Sequence, residues 1–288
     1  MRTRYADRVA DIPATSAASD ADPKRATTWL LPSADLTGLS SLGIKVAGGG
    51  PHQSKTMMLK DLSALFASGR TDDPAGAIVV DNLLGKPSAR AREASLYRLH
   101  QLYGVGSNVP IWRVFQRLWN RTTNERPLLA LLTALARDPM LRDGAAAVLD
   151  ASPGERVRWP AIAATFEAAN PSRIGEKMAK SLAQNAASSW TQSAFLKGAV
   201  RKERVRSSAT PTVAAYAALI GSLCGFGGQR LLESQWLSVL DRPVEARLAL
   251  LRQAEGLGLV RVRSAGDVLE VDVRRPMAEM LGVPELVG

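Results

Sequence analysis

Cysteine and histidine are almost absent from this chain: one Cys, Cys224, and two His, His52 and His100, in 288 residues. A lone thiol excludes an internal disulfide framework and a multi-cysteine metal site. It suits a reducing compartment, so a cytoplasmic location is expected. Two histidines leave little room for imidazole-based metal or acid–base chemistry. No Ser/His/Asp order, carboxylate pair or metal-ligand spacing stands out, so the chain is expected to be no enzyme and to use no cofactor. Long apolar runs are missing too. The longest charge-free stretch is Ser207 to Gln229. Its apolar part, Val213 to Phe226, is shorter than the ~20 residues a membrane-spanning helix needs, so no membrane partner is expected. Near the start, Arg2, Arg4 and Arg8 are mixed with Asp7, Asp11, Asp20 and Asp22, and no long apolar stretch follows. That is not the pattern of a secretory signal.

What the chain does have is positive charge. Lys plus Arg number 37 against 27 Asp plus Glu, a formal excess of ten. An excess of that size favours a polyanionic partner, nucleic acid ahead of a membrane surface. It is also clustered: residues 151–210 hold ten cations and four carboxylates, whereas residues 211–288 hold eight and nine. A uniform surplus would suggest only solubility; crowding into one stretch suggests a contact surface.

The apolar spacing predicts a mainly α protein, an N-terminal helical bundle plus a C-terminal winged-helix-like domain with a β-hairpin. Four regions are expected: a flexible N-terminal tail at 1–50, a helical bundle at 51–150, a basic helical and loop segment at 151–210, and the winged-helix-like domain at 211–288. In the bundle, Ser54 looks like the cap of a helix from Lys55 to Ala67, and Ser88 of a helix to Tyr103. Ala77 to Leu84 can be a helix or a short strand. Prolines 110, 127 and 139 open further helices, as proline does at a first turn. Further on, Trp159 to Ala169 is expected as a helix, Ser172 caps a helix from Arg173 to Ala187, and 188–193 is a polar segment around Trp190. In the last region, helices at Val213–Leu223, Leu231–Leu240 and Val244–Glu255 precede alternating strands at Leu259–Arg263 and Val268–Val273. Three helices followed by a hairpin are the plan of a winged helix.

The strongest candidate site is residues 173–206. Arg173, Lys177 and Lys180 fall on one helical face, and Lys197, Arg201, Lys202, Arg204 and Arg206 follow, opposed only by Glu203. Several cations within reach of adjacent phosphates release counterions on binding. Ser188, Ser189, Thr191 and Gln192 can donate to phosphate oxygens, and Trp190 can pack on sugar or base. The blander alternative is a solvated basic loop with Trp190 in the core. The winged-helix region offers Arg247, Arg252, Gln253, Arg261 and Arg263, but Glu245, Glu255, Asp267, Glu270 and Asp272 stand beside them, so docking on protein competes with reading DNA. A third candidate, Gly49 to Thr56, approximates the phosphate loop G-x-x-x-x-G-K-[ST], with Ser54 where glycine is required and Asp81 as a distant acidic partner. Ser54 as a helix cap explains it better than ATP binding does. Trp112, Trp119, Trp159 and Trp236 are expected in the core, Cys224 as packing, and His52 and His100 without an obvious partner.

Three segments resemble a known family. Thr56-Met57-Met58-Leu59-Lys60-Asp61-Leu62, then Asp81-Asn82-Leu83-Leu84-Gly85-Lys86, then Ser88-Ala89-Arg90-Ala91-Arg92 leading into Leu96-Tyr97-Arg98-Leu99, look like the N-terminal pattern of BrxA, a small component of the BREX bacterial phage-defence systems. The likeness extends over roughly residues 54–150. It implies a helical, DNA-binding, non-enzymatic accessory protein that acts beside other defence proteins, a methyltransferase and ATPases. It adds Arg90, Arg92 and Arg98 to the expected DNA-binding residues. The expected function is thus contact with the phosphate backbone of double-stranded DNA. An assembly adaptor that docks through the winged helix is the alternative, and a phosphate-loop-like ATP-binding protein a more remote one.

Overall fold

In a computed structural model, the described residues are 29–170, 174–266 and 268–287, and these are mainly helical. Of the stretch expected as a tail, residues 1–28 lie outside the described part, but 29–50 is folded onto the core. Trp29 packs edge-on against Trp236 at 4.8 Å, and the Trp236 indole N–H donates to the Trp29 carbonyl. Helix α1, Leu36–Leu42, is capped by Asp35, whose carboxylate accepts from the Thr37 amide, and it ends on Gly43 at φ 92°. Apolar Trp29, Leu30, Leu39 and Ile44 carry this stretch into the interior, which a composition rich in Ser and Asp just upstream conceals.

Helix α2 is Leu59–Ala67, four residues shorter at its start than expected. Ser54 does not cap it: Pro51–Gln53 form a 3-10 turn, and Ser54 to Met58 run on as an irregular strap. Gly76–Val80 form a π-helical turn. Helix α3, Ala89–Tyr103, starts where the sequence predicts, with the Ser88 hydroxyl accepting from the Ala91 amide. Helices α4 (Pro110–Arg121) and α5 (Arg126–Arg137) follow, and the expected helix after Pro139 is broken into α6 (Pro139–Asp143) and α7 (Ala146–Leu149).

Strand β1 (Arg156–Val157) leads into α8 (Trp159–Ala169). Helix α9 is Glu176–Gln192, so it absorbs most of the polar segment expected at 188–193. Two short strands, β2 (Leu196–Lys197) and β3 (Lys202–Arg204), then form a hairpin out of the basic run, and β1 pairs antiparallel with β3 in the order β1–β3–β2. The last region comprises α10 (Pro211–Leu223), α11 (Gly228–Glu233), α12 (Gln235–Ser238), α13 (Val244–Glu255), an antiparallel hairpin of β4 (Arg261–Ala265) and β5 (Val268–Asp272), and α14 (Arg274–Leu281), a helix the sequence reading left out.

The core centres on α5 and α10. Every residue from Leu128 to Arg137 is buried, as is every residue from Val213 to Gly221. Helix α5 packs on α3, α4, α9 and α10, and the Thr133 and Tyr216 hydroxyls meet across the α5–α10 contact at 2.9 Å. Each fully buried Leu contributes roughly 1.5–3 kcal/mol relative to exposure, so these two largely buried helices hold the other elements against them. Buried side chains from Trp29 to Leu286 form one contiguous cluster. Among the described residues no helix is long and apolar enough to cross a membrane.

Candidate nucleic-acid interface

The small sheet gathers the basic run. Arg156 lies opposite Glu203, and Glu203 lies opposite Lys197, so the three form one row across β1, β3 and β2. Side chains in such a row share a face, and its outer strands are about 10 Å apart. Lys197 and Arg156 therefore flank one carboxylate, and the Lys197 ammonium is 2.7 Å from Glu203. Both partners are exposed, so the pair is worth ~0–1 kcal/mol and a phosphate can compete for the lysine. In the hairpin turn, Arg201 is exposed, Lys202 donates to the Gly198 carbonyl, and Val200 stands 93% exposed at the tip. Arg206, two residues past β3, is also exposed.

Helix α9 joins this surface through an aromatic ring. Trp159, expected in the core, is 37% exposed because it opens α8 directly after β1. The Lys180 ammonium lies over it, 5.2 Å from the ring centroid. That cation–π contact ties Lys180 to the residue that follows Arg158; Arg158 and Arg156 are both exposed and both outside the expected set. Their signal was the Arg-Val-Arg alternation before α8. Lys177 is exposed one turn earlier on α9, and Arg173 lies outside the described residues. The outer face of the sheet thus carries Arg156 and Lys197 with Glu203 between them, Arg201 is exposed in the adjoining turn, and Lys180 reaches Trp159 next to Arg158, whereas Lys202 is half-buried on the side of β3 that also carries Arg204.

Five expected contacts are elsewhere. Arg204 is 1% exposed: its guanidinium is 2.9 Å from Asp241, donates to the Val148 and Val205 carbonyls, and covers the Phe195 ring. It alternates inward on β3 while Glu203 faces out. Trp190 is buried against Phe195 and cannot stack on a base. Ser189 is buried, and Gln192 is half-buried and accepts from the Leu59 amide. Ser188 is half-buried.

The reason is a polar stripe. Asn185, Ser189 and Gln192 recur at i, i+4 and i+7 on α9 and hold the strap from His52 to Leu59. Asn185 donates to the His52 carbonyl, the Ser189 hydroxyl oxygen accepts from the Met57 amide, and Gln192 takes the Leu59 amide. The strap belongs to no helix or strand, so its buried backbone amides need these side chains. His52, expected without a partner, lies between Asp138 at 2.7 Å and the Ser189 hydroxyl at 2.8 Å. Burial alone would push the Asp138 carboxyl up; the charge of His52 and hydrogen bonds from His52 and the Leu141 amide outweigh it and hold that carboxyl below its ordinary value. The atoms follow the order of a nucleophile–base–acid relay, which the sequence did not suggest. Ser189, His52 and Asp138 are each fully buried, and the Ser189 hydroxyl is also bonded to the Asn185 carbonyl. Their role is to lock the strap to α6 and α9. His100 donates from Nδ1 to the Val105 carbonyl oxygen. Cys224 is buried, which pushes its thiol up to about 12.

The arginines that the family resemblance adds are on α3. Arg90 is exposed at its first turn, Arg92 is half-buried, and Arg98 lines a cavity. On the hairpin of β4 and β5, Arg261 lies opposite Asp272 and Arg263 opposite Glu270 in the register, and the Arg261 guanidinium is 3.7 Å from Glu279. Among the described residues no group of three or more His, Cys, Asp or Glu side chains is placed to hold a metal ion. Comparisons with known family models, with characterised proteins and with solved structures find no match.

Proposed function

We propose that this chain is a non-enzymatic protein that binds double-stranded DNA by its phosphate backbone. The contact surface is the one formed by β1, the β2–β3 hairpin and the first turns of α9. One observation carries the reading: Lys180 over Trp159 makes the helix cations continuous with those of the sheet, so charges scattered over some fifty residues of sequence face one partner together. Counterion release from such a surface drives binding without reading sequence. The exposed Trp159 edge and the Val200 tip add apolar contact to sugar. The order of α10 to α13 followed by β4 and β5 suits a winged helix, and the carboxylates placed opposite its hairpin arginines favour protein docking over DNA there. On the strength of the resemblance to BrxA, we place the protein among the cytoplasmic accessory components of a phage-defence system.

Mobility shifts on a random-sequence duplex test the assignment of the surface. Arg156→Ala with Arg158→Ala and Arg201→Ala is expected to weaken binding at least tenfold, and Arg252→Ala with Arg263→Ala, on the C-terminal region, to change it less than twofold. The reverse ranking assigns DNA to the winged-helix-like region. No shift with wild-type protein, together with co-purification of partners that survives nuclease, makes the protein an assembly adaptor.

A further inference from the structure

The segments singled out in the first hundred residues converge on a concave site that the DNA-binding reading does not use. It is a cavity of about 1070 Å³ bounded by the strap at Ser54 to Thr56, the first turns of α2 at Leu59 to Ser63, the Lys86–Pro87 turn, one face of α3, and Asn185 and Gln192 of α9. Four cations line it, Lys55, Lys60, Lys86 and Arg98, against one carboxylate, Asp61, an excess of three positive charges. Asp61 holds Lys86 at 3.0 Å. Lys55, Lys60 and Arg98 have no carboxylate partner among the described residues. Like charges gathered in one concavity repel each other, and the low-dielectric walls focus their field, so the site favours a multiply charged anion.

Its shape and chemistry narrow the class. A duplex is convex and rests on surfaces, whereas a cavity of this size suits a small molecule. Hydroxyl donors are available at the cationic rim. The Thr56 hydroxyl oxygen accepts from the Met58 amide, which leaves its proton to donate outward, and Ser54 and Ser63 line the same wall. Met58, Leu59, Pro87 and Ala91 give an apolar wall beside them. The positive end of the fifteen-residue helix α3 opens toward the cavity at Pro87 and Ala91. The arrangement is not the phosphate loop that Gly49 to Thr56 approximates. No helix starts there, Met58 at φ 51° opens α2 instead, and Asp81 is ion-paired with Arg70.

We propose that this cavity binds a compound with two or more linked phosphates, a nucleoside di- or triphosphate whose base rests on the apolar wall. The site stands apart from the DNA surface and survives that reading's failure. Isothermal titration calorimetry of the full chain with ADP, inorganic pyrophosphate and AMP tests it. ADP is expected to bind at least tenfold more tightly than AMP. Lys55→Ala with Arg98→Ala is expected to weaken ADP at least tenfold, and Lys177→Ala with Lys180→Ala to leave it within twofold. Lys55→Glu alone changes an exposed side chain, so the fold is kept, and it must weaken ADP at least tenfold too. Pyrophosphate weaker than ADP identifies a nucleotide as the occupant; equal affinity identifies the bare diphosphate group and removes the base from the proposal. No heat with ADP or pyrophosphate, AMP equal to ADP, or equal losses in the cavity and surface variants overturns it.

Discussion

At the scale of single residues, position outweighs type. Gly50 illustrates this: a Cβ there would come 1.9 Å from an Asp138 carboxylate oxygen. The glycine lets the backbone pass the carboxylate that holds His52, which is a packing reason for a residue that sequence pattern assigns to a phosphate loop. Gly50→Ala is expected to cost ~1–3 kcal/mol as an overpacked contact, read by urea denaturation. Lys45 gives a pH signature. Burial, with Arg137 nearby, outweighs the attraction of Asp138 and lowers its ammonium from 10.5 to about 8. Between about 8 and 10.5 the unfolded chain then holds more protons than the folded one, so this group makes stability rise with pH across that window. Lys45→Met is expected to abolish its share of the rise between pH 7 and 9.5, measured by denaturation at both values; an unchanged rise assigns it to another group.

At the scale of elements, helices with a one-sided apolar pattern and a clear start were legible. Helix α3 with its Ser88 cap, α8 and α13 begin or end where their spacing dictates. What was not legible depends on partners distant in sequence. The strap has no pattern of its own and is defined by Asn185, Ser189 and Gln192, more than a hundred residues away. The same three explain why a polar stretch continues as helix: its polar groups face backbone, not solvent. Ser189→Ala strands the Met57 amide and His52 together and is expected to cost ~1–3 kcal/mol for each buried group left unpaired. Faster hydrogen exchange at Met57 and Leu59 reports it. The basic run was legible as charge but not as strands, and two-residue periodicity then splits it. Lys197→Ala, on the outer face beside Glu203, is expected to change stability by no more than ~1 kcal/mol and weaken DNA binding. Arg204→Ala leaves Asp241 partly buried without its partner and is expected to cost ~3–5 kcal/mol of folding stability. Equal stability of the two variants contradicts the inward placement of Arg204.

At the scale of the whole molecule, a contiguous core fixes the small sheet, α8 and α9 relative to one another, and that rigidity turns dispersed cations into a surface. Excess charge alone gives solubility; the proposed DNA binding needs that charge held together on one surface. The salt dependence of duplex binding tests this most directly. Each lost phosphate contact removes about 0.9 from the slope of log Kobs against log salt. Arg156→Ala with Lys197→Ala and Arg201→Ala is expected to flatten the wild-type slope by about two to three units. A slope identical in wild type and triple variant contradicts the account.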